Sequence, residues 1–272
     1  MGYGDELMAM GRAERLHRET GRRVAILDKA GKRRWSPVWV GHPAIVNPCE
    51  PVSASHMTIV DCSGARPYLA GWDTWNCSAR ARFTDWSANS HRGRLYLSLP
   101  ELKQGRQLQE RLGDFVVLEP GIYGSSSSNK DWGFERYEQL VAALPDLKFI
   151  QTMPGPRRAP ARVMPLFTPS FREACGILAA ASAYVGPEGG MHHAAAALGI
   201  PAVVLFGGFT SPVNTGYELH RNLFVAGPES PCGRYAPCGH CREAMASITV
   251  ADVAAALKGV LAGELTGGVH AR

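Results

Sequence analysis

The 272-residue chain contains no apolar run near the roughly 18 to 20 residues that a membrane-spanning helix needs, so no transmembrane helix is expected. After Met1 there is no basic segment followed by an apolar core, so no secretory signal is read and the expected location is cytoplasmic. Charged residues, at 19%, are in the ordinary range for a globular protein. The net charge of +5 comes from Lys and Arg spread along the chain, with no run that would track a nucleic-acid backbone. Nucleic acid is therefore not an expected partner. A modest positive charge suits anionic small molecules and transient peripheral contact with the acidic inner face of the cytoplasmic membrane. Internal repeats are absent, and low complexity is confined to Ser125 to Ser128. In a cytoplasmic chain the seven cysteines read as thiols or metal ligands rather than disulfides. The apolar share of 45% is ordinary for a folded globular protein, and the length suits two domains.

The stretch from Ser170 to Gly208 organises the rest. Ser170 is placed to cap an Ala-rich helix closing at Leu178 to Ala181. Ala183 to Gly186 reads as a short buried strand, and Pro201 to Phe206 as a second whose β-branched run fits a parallel strand covered on both faces. Between them Gly186, Gly189 and Gly190 bracket Glu188, and a helix opens with Met191, His192 and His193. A helix N-terminus has unpaired N–H groups and a positive dipole end, and glycines let a ligand approach the backbone, so the turn suits an anion or sugar hydroxyls. An ordinary Rossmann-type turn, with His193 merely capping or packing, uses the same residues.

This spacing resembles the donor-site signature of the ADP-heptose:lipopolysaccharide heptosyltransferases, glycosyltransferase family 9. That family reads D-[ST]-G-x-x-H, then a small-residue helix, Leu-Gly and a Pro-led strand. Glu188, Gly189, Gly190 and His193 occupy those positions, and Leu198, Gly199 and Pro201 follow in register; Glu replaces Asp and Gly replaces the hydroxyl residue. A second match lies upstream, where a strand Phe115 to Glu119 leads into Pro120, Gly121, Ser125, Lys130, Trp132 and a helix carrying Tyr137 and Leu140. The resemblance implies that Lys130 holds the donor diphosphate, with hydroxyls such as Ser125 assisting. The family has a similar Phe-Gly-x-Thr-x-Pro segment, and the resemblance implies a place for Thr210 near the donor phosphate or base. Strand and helix alternate from Asp114 to Gly208, as in a doubly wound parallel sheet whose ligands sit at the carboxyl ends of the strands.

The first part of the chain is harder to read. Met1 to Gly11 reads as a Gly-x-Gly-Asp turn running into a helix through Arg18, with Leu7, Met8, Met10 and Leu16 along one side. The resemblance implies that Asp5 is the general base at the acceptor hydroxyl; the other reading is a helix cap. Strands are expected at Arg23 to Asp28, Met57 to Asp61 and Arg94 to Leu99. Trp72, Trp75, Phe83 and Trp86, with Arg80, Arg82 and His91, read as a loop-rich segment that is either core filling or an acceptor-facing surface. A polar helix from Pro100 ends at Gly113.

Near the other end, Cys232, Cys238 and Cys241 with His240 have a C-x5-C-x2-C spacing. They are candidates for a zinc or iron site, or a reduced cysteine cluster. An amphipathic helix from Thr249 closes the fold.

The expected architecture is therefore α/β and GT-B-like, with two Rossmann-like domains facing a cleft. Residues 1–113 form a reduced acceptor-side domain lacking its usual first strand, and residues 114–272 the nucleotide-sugar domain. The resemblance implies an inverting glycosyltransferase that moves heptose or a hexose-like sugar from a nucleotide-diphosphate donor to a glycan or glycolipid, as in lipopolysaccharide biosynthesis, with no cofactor required for transfer. A noncatalytic nucleotide-sugar binding module, a nucleotide-sugar epimerase and a metal-dependent assembly protein remain open alternatives.

Overall fold

The computed structural model describes residues 2–28, 30–60, 68–75, 78–121, 127–155, 157–225 and 227–264. Its centre is a six-stranded parallel sheet built from β5 (Val116–Leu118), β6 (Phe149–Met153), β7 (Val163–Phe167), β8 (Ala183–Pro187), β9 (Ala202–Phe206) and β10 (His220–Phe224). The order β10-β9-β8-β5-β6-β7 reverses direction between β5 and β8, which makes that pair the topological switch point. Val116 to Leu118 pair with Ala183 to Val185, and both strands are buried along their length. Parallel neighbours require crossovers: α3 (Phe134–Ala143) lies between β5 and β6, α4 (Phe171–Leu178) between β7 and β8, α5 (Gly190–Leu198) between β8 and β9, and the short α6 (Pro212–Thr215) between β9 and β10. The helix α8 (Val250–Leu261) follows the last strand and packs beside α3. Two apolar clusters result, one on each face of the sheet.

Local signals set the helix ends. Ser170 accepts from the Glu173 amide, as expected, and Thr249 forms a capping box with Asp252. A second capping box, Ser98 with Glu101, starts α2 (Leu99–Leu112).

The segments before α2 depart from expectation in three ways. Gly2 to Asp5 is not a turn: α1 (Tyr3–Thr20) already includes Asp5, with Gly2 at its cap. Asp5 therefore sits inside the first turn, where a carboxylate complements the helix dipole, and is not the cap. Second, Arg94 to Leu99 forms no strand. The alternating pattern is real, with Leu95 buried and Tyr96 exposed, but the segment lies extended on other elements. Its Arg94 amide donates to Glu14 and its Leu95 amide to the Ala197 carbonyl, so its period-two burial comes from neighbouring helices. Third, the Trp-containing stretch is an antiparallel hairpin, β3 (Leu69–Trp75) and β4 (Ser78–Phe83), in keeping with the strand preference of aromatic and β-branched residues. The strands β1 (Val24–Leu27) and β2 (Met57–Val60) do form, as a parallel pair.

Two close approaches join the early segments to the sheet. The first half of α1 is buried nearly all round, from Asp5 to Gly11, and packs on the alanines of α5. Its buried acids are partnered: Glu6 takes Arg34 at 2.5 Å, and Glu14 faces His42 at 3.5 Å. The second approach is between α2 and α4. The Arg172 guanidinium forks onto both Glu101 oxygens and reaches the carbonyls of Pro37 and Tyr96. That contact holds the Glu101 carboxyl down at about 2. Beside it, Gly105 and Gly176 allow backbone contact, because a Cβ at Gly176 would collide with the Glu101 carbonyl.

Gly176→Ala is accordingly expected to lower stability by about 1–3 kcal/mol, the cost of forcing a methyl into a packed contact. Gly155→Ala, where nothing lies within 4 Å of the added atom, changes it by less than about 0.5 kcal/mol. Urea midpoints of the two variants measured side by side test the difference.

Candidate active site

The loops after β5 and β8 meet at the switch point, on the carboxyl side of the sheet. β8 runs through Pro187 into Glu188, and Gly189 caps α5 without a side-chain hydrogen bond. A hydroxyl residue there would cover the first amides of the helix, whereas glycine leaves them to a ligand. From the β5 side, the turn Ser128–Lys130 carries Lys130 to the same place.

Lys130 donates directly to Glu188 Oε2. The other Glu188 oxygen lies 3.5 Å from His193 Nε2, and His193 Nδ1 is 2.8 Å from the Tyr217 hydroxyl. The result is one polar chain, Lys130, Glu188, His193 and Tyr217, sunk in the protein. Burial works against the Glu188 charge, but Lys130 and His193 more than offset it and hold the carboxyl well below its usual range. Lys130 is also 5.1 Å from the centre of the Phe209 ring. It is thus a cation with an anionic partner in place, and an incoming diphosphate would have to share it.

The start of α1 closes the other side. Gly4 faces His193, so that a Cβ at Gly4 would stand 2.8 Å from its ring, and a Cβ at Gly190 would stand 3.7 Å from the Gly4 nitrogen. Two helix N-termini therefore point into one cleft, lined by Gly2, Gly4, Asp5, Lys130, Glu188 and His193 among others, with a volume of about 90 Å³. An adjoining, more apolar cavity of about 460 Å³ shares Gly2, Glu188, Gly189 and Gly190 with it. Tyr3 stacks on Phe171 at 4.3 Å in its wall. Glu119 also lines it, with one oxygen bonded to the Tyr184 hydroxyl at 2.6 Å, and burial pushes its carboxyl up to about 7.

The structure thus gathers Asp5, Lys130, Glu188, Gly189, Gly190 and His193 around one cleft. Ser125 lies outside the described residues; its neighbour Ser127 lines the cleft. Thr210 is buried at 3% exposure and lines neither cavity, while the adjacent Phe209 does. Trp132 is structural, its indole donating to the Ile248 carbonyl. Tyr217, Glu119, Tyr3 and Phe171 were not read as site residues. Nothing local in the sequence marks Tyr217, which reaches His193 only through the fold.

The cysteine group forms a second centre. Cys232, Cys238, Cys241 and His240 bring their ligand atoms within 4.8 Å of one another. Cys232 and Cys241 sulfurs are 3.0 Å apart, and His240 Nδ1 is 4.0 Å from Cys241. The adjacency of His240 and Cys241 is no obstacle, because both lie in the first turn of α7 (Gly239–Ser247). A tetrahedral ion with bonds of about 2.3 Å to sulfur holds its sulfur ligands about 3.8 Å apart, so the Cys232 and Cys241 pair would open slightly to take one. His240 Nε2 is 3.1 Å from Ser230 Oγ, a contact that leaves Nδ1 free to ligate. Donor set and geometry fit a zinc- or iron-class ion.

No protein-family model matches the chain, and no curated protein matches it significantly. Comparison with solved structures defines the class: the chain has a GT-B-like glycosyltransferase fold. A family 9 glycosyl transferase from Veillonella parvula DSM 2008 aligns with a TM-score of 0.60 at 12% identity, over 97% of this chain and 95% of that one. The iron-containing dodecameric glycosyltransferase TibC from enterotoxigenic E. coli H10407 aligns with a TM-score of 0.64 at 17% identity, over 97% of this chain and 74% of that one. E. coli ADP-heptose lipopolysaccharide heptosyltransferase II aligns with a TM-score of 0.47 at 21% identity; 63% of this chain spans 54% of that one, about half its length.

Behind the site, His192 is fully buried with neither ring nitrogen hydrogen-bonded among the described residues, and His220 is equally enclosed. Burial holds His192 well below its usual range and His220 down at about 3, so both are neutral when folded. Unfolding lets each take up a proton below about pH 6.5, so stability is present above that pH and falls as the medium is acidified. The expected slope approaches about 1.4 kcal/mol per pH unit per histidine once the pH is well below 6.5. His192→Leu should remove its share, seen as a shallower fall in the urea-derived stability between pH 6.5 and 5.

Proposed function

We propose that the chain is a glycosyltransferase that moves a sugar from a nucleotide-diphosphate donor to a glycan or glycolipid hydroxyl, with inversion. The observation that carries this reading is the convergence of Lys130, an uncapped α5 N-terminus and Asp5 on one cleft beside a cavity of nucleoside size. On this reading residues 114–272 hold the donor and residues 1–113 present the acceptor, in keeping with the two glycosyltransferases that share the fold. The nucleoside occupies the apolar cavity between Glu119 and the Tyr3–Phe171 stack. Its diphosphate lies over the amides of Gly190 and Met191, where Lys130 and the helix dipole offset its charge.

Asp5 removes the proton from the acceptor hydroxyl as its oxygen attacks the anomeric carbon. The bond to the diphosphate oxygen breaks on the opposite face. The leaving charge grows where Lys130 and the α5 amides already stand, so little reorganisation is needed. Glu188 does not contact phosphate in this scheme. It holds Lys130 and His193 in place, and His193 orients the sugar. The iron reported for TibC gives a precedent for the cysteine group. Cys232, Cys238, Cys241 and His240 would hold zinc or iron here as a structural clip that takes no part in transfer. On this reading the enzyme works in the cytoplasm, at the membrane face when its acceptor is lipid-linked.

Calorimetric titration with nucleoside diphosphates, followed by a transfer assay with nucleotide sugars, tests the reading; absence of any nucleotide binding overturns it. Asp5→Asn keeps shape and removes basicity, so it should leave donor affinity nearly unchanged and cut transfer about 100-fold or more. Transfer near the unsubstituted rate would remove Asp5 as the base. Lys130→Ala should weaken diphosphate binding by about 1.5–3 kcal/mol. It also strands the Glu188 carboxylate, so the fold loses stability as well. Adding Glu188→Gln should recover much of that stability and none of the affinity.

A further inference from the structure

The segment from Gly227 to Cys238 contains no helix or extended strand, yet it touches three parts of the site. The Cys232 amide donates to the Gly208 carbonyl and the Gly233 amide to that of Phe209, which ties the segment to the loop after β9. The Ala81 amide donates to Gly233 and the Tyr235 amide to Ala79, which ties it to β4. The strongest attachment is to the turn that carries Lys130. Asn129, buried at 4% exposure, donates from its amide nitrogen to the Arg234 carbonyl at 2.7 Å and the Ala236 carbonyl at 2.9 Å. Its side-chain oxygen accepts from the Cys238 amide at 2.8 Å, and Ser127 adds a bond to the Tyr235 carbonyl at 3.0 Å.

Asn129 thus uses its carboxamide to fasten the Lys130 turn to the loop that Cys232, Cys238 and Cys241 enclose. Phe209 supplies a second link. It packs in one cluster with those three cysteines, and its ring faces the Lys130 ammonium. A loop without secondary structure takes its shape from whatever joins its ends, and here the joining groups are the four metal-compatible side chains.

We propose that an ion held by Cys232, Cys238, Cys241 and His240 fixes the position of Lys130, and that Asn129 is the positioning residue through which it does so. The inference rests on the donor-site reading of Lys130 given above. Ion binding and nucleotide binding are then linked: each raises the affinity for the other by the same factor. Asn129 touches neither ligand. Its substitution therefore separates this role from a purely structural one, because it leaves the ion site filled while breaking the link.

The test uses the full chain. Protein loaded with zinc, and protein stripped by a chelator, are titrated calorimetrically with ADP, GDP, CDP and UDP. Cobalt(II) substitution reports the ligand set through thiolate-to-metal absorption bands. In the unsubstituted protein, stripping should lower affinity for the bound nucleotide at least tenfold and speed amide hydrogen exchange at residues 127–131. In Asn129→Ala, the cobalt bands should persist, while affinity falls about as far as in the stripped protein and no longer responds to the ion. Ser127→Ala, a milder change, should give a smaller loss in the same direction and guards against misfolding of the first variant. Equal nucleotide affinity with and without the ion overturns the proposal, as does failure to bind any ion. If the loaded, folded protein binds no nucleoside diphosphate at all, the donor-site reading itself falls, and this inference with it.

Discussion

The site depends on keeping one carboxylate charged inside the protein. Glu188 is 5% exposed, and an isolated ion at that depth would take up a proton. It stays ionised because Lys130 arrives from the β5 loop and His193 from the first turn of α5. Remove either partner and the other two groups lose their arrangement, so three segments around the cleft are locked by one charge. A buried pair of this kind adds little net stability. What it provides is a fixed position for a cation beside free helix amides.

Around that charge the packing is governed by small residues. Ala194 and Ala195 of α5 are fully buried, and Gly190 opens the helix. These let α1 come close enough for Gly4 to face His193. Asp5 is then brought to the cleft of the Glu188 turn by the packing of the two helices. Bulk on this seam would push the two helix ends apart and separate Asp5 from the Glu188 turn.

Legibility in the sequence followed the range of the forces involved. The β/α alternation from Phe115 to Phe206 could be read because its boundaries are local: Ser170 and Thr249 cap their helices, and Gly199 turns α5 with a left-handed backbone. The start of α2, one residue ahead of the Pro100 read from the sequence, is written in Ser98 and Glu101. The earlier third was misread where burial came from distant partners, as with Leu95 against the α5 region. In the site, the residue types of the Glu188 turn were enough to mark it. Its pairing with Lys130, 58 positions away, was not visible, nor was the attachment of Asn129 to the cysteine loop. Those contacts exist only once the sheet has brought its strand ends together.

The seam between α1 and α5 also bears on how the chain is made. About 170 residues separate the end of α1 from the start of α5. At cellular elongation rates of about 5–20 residues per second, α5 trails α1 by roughly 10–35 seconds. Throughout that interval Leu7, Met10 and Ala13 lack the alanine surface they finally cover. Helix formation in α1 can be immediate, but its docking must wait for α5. The cleft between the two helix ends therefore cannot close until α5 is made, and a polypeptide stalled before Leu198 carries a helix with its principal partner still missing.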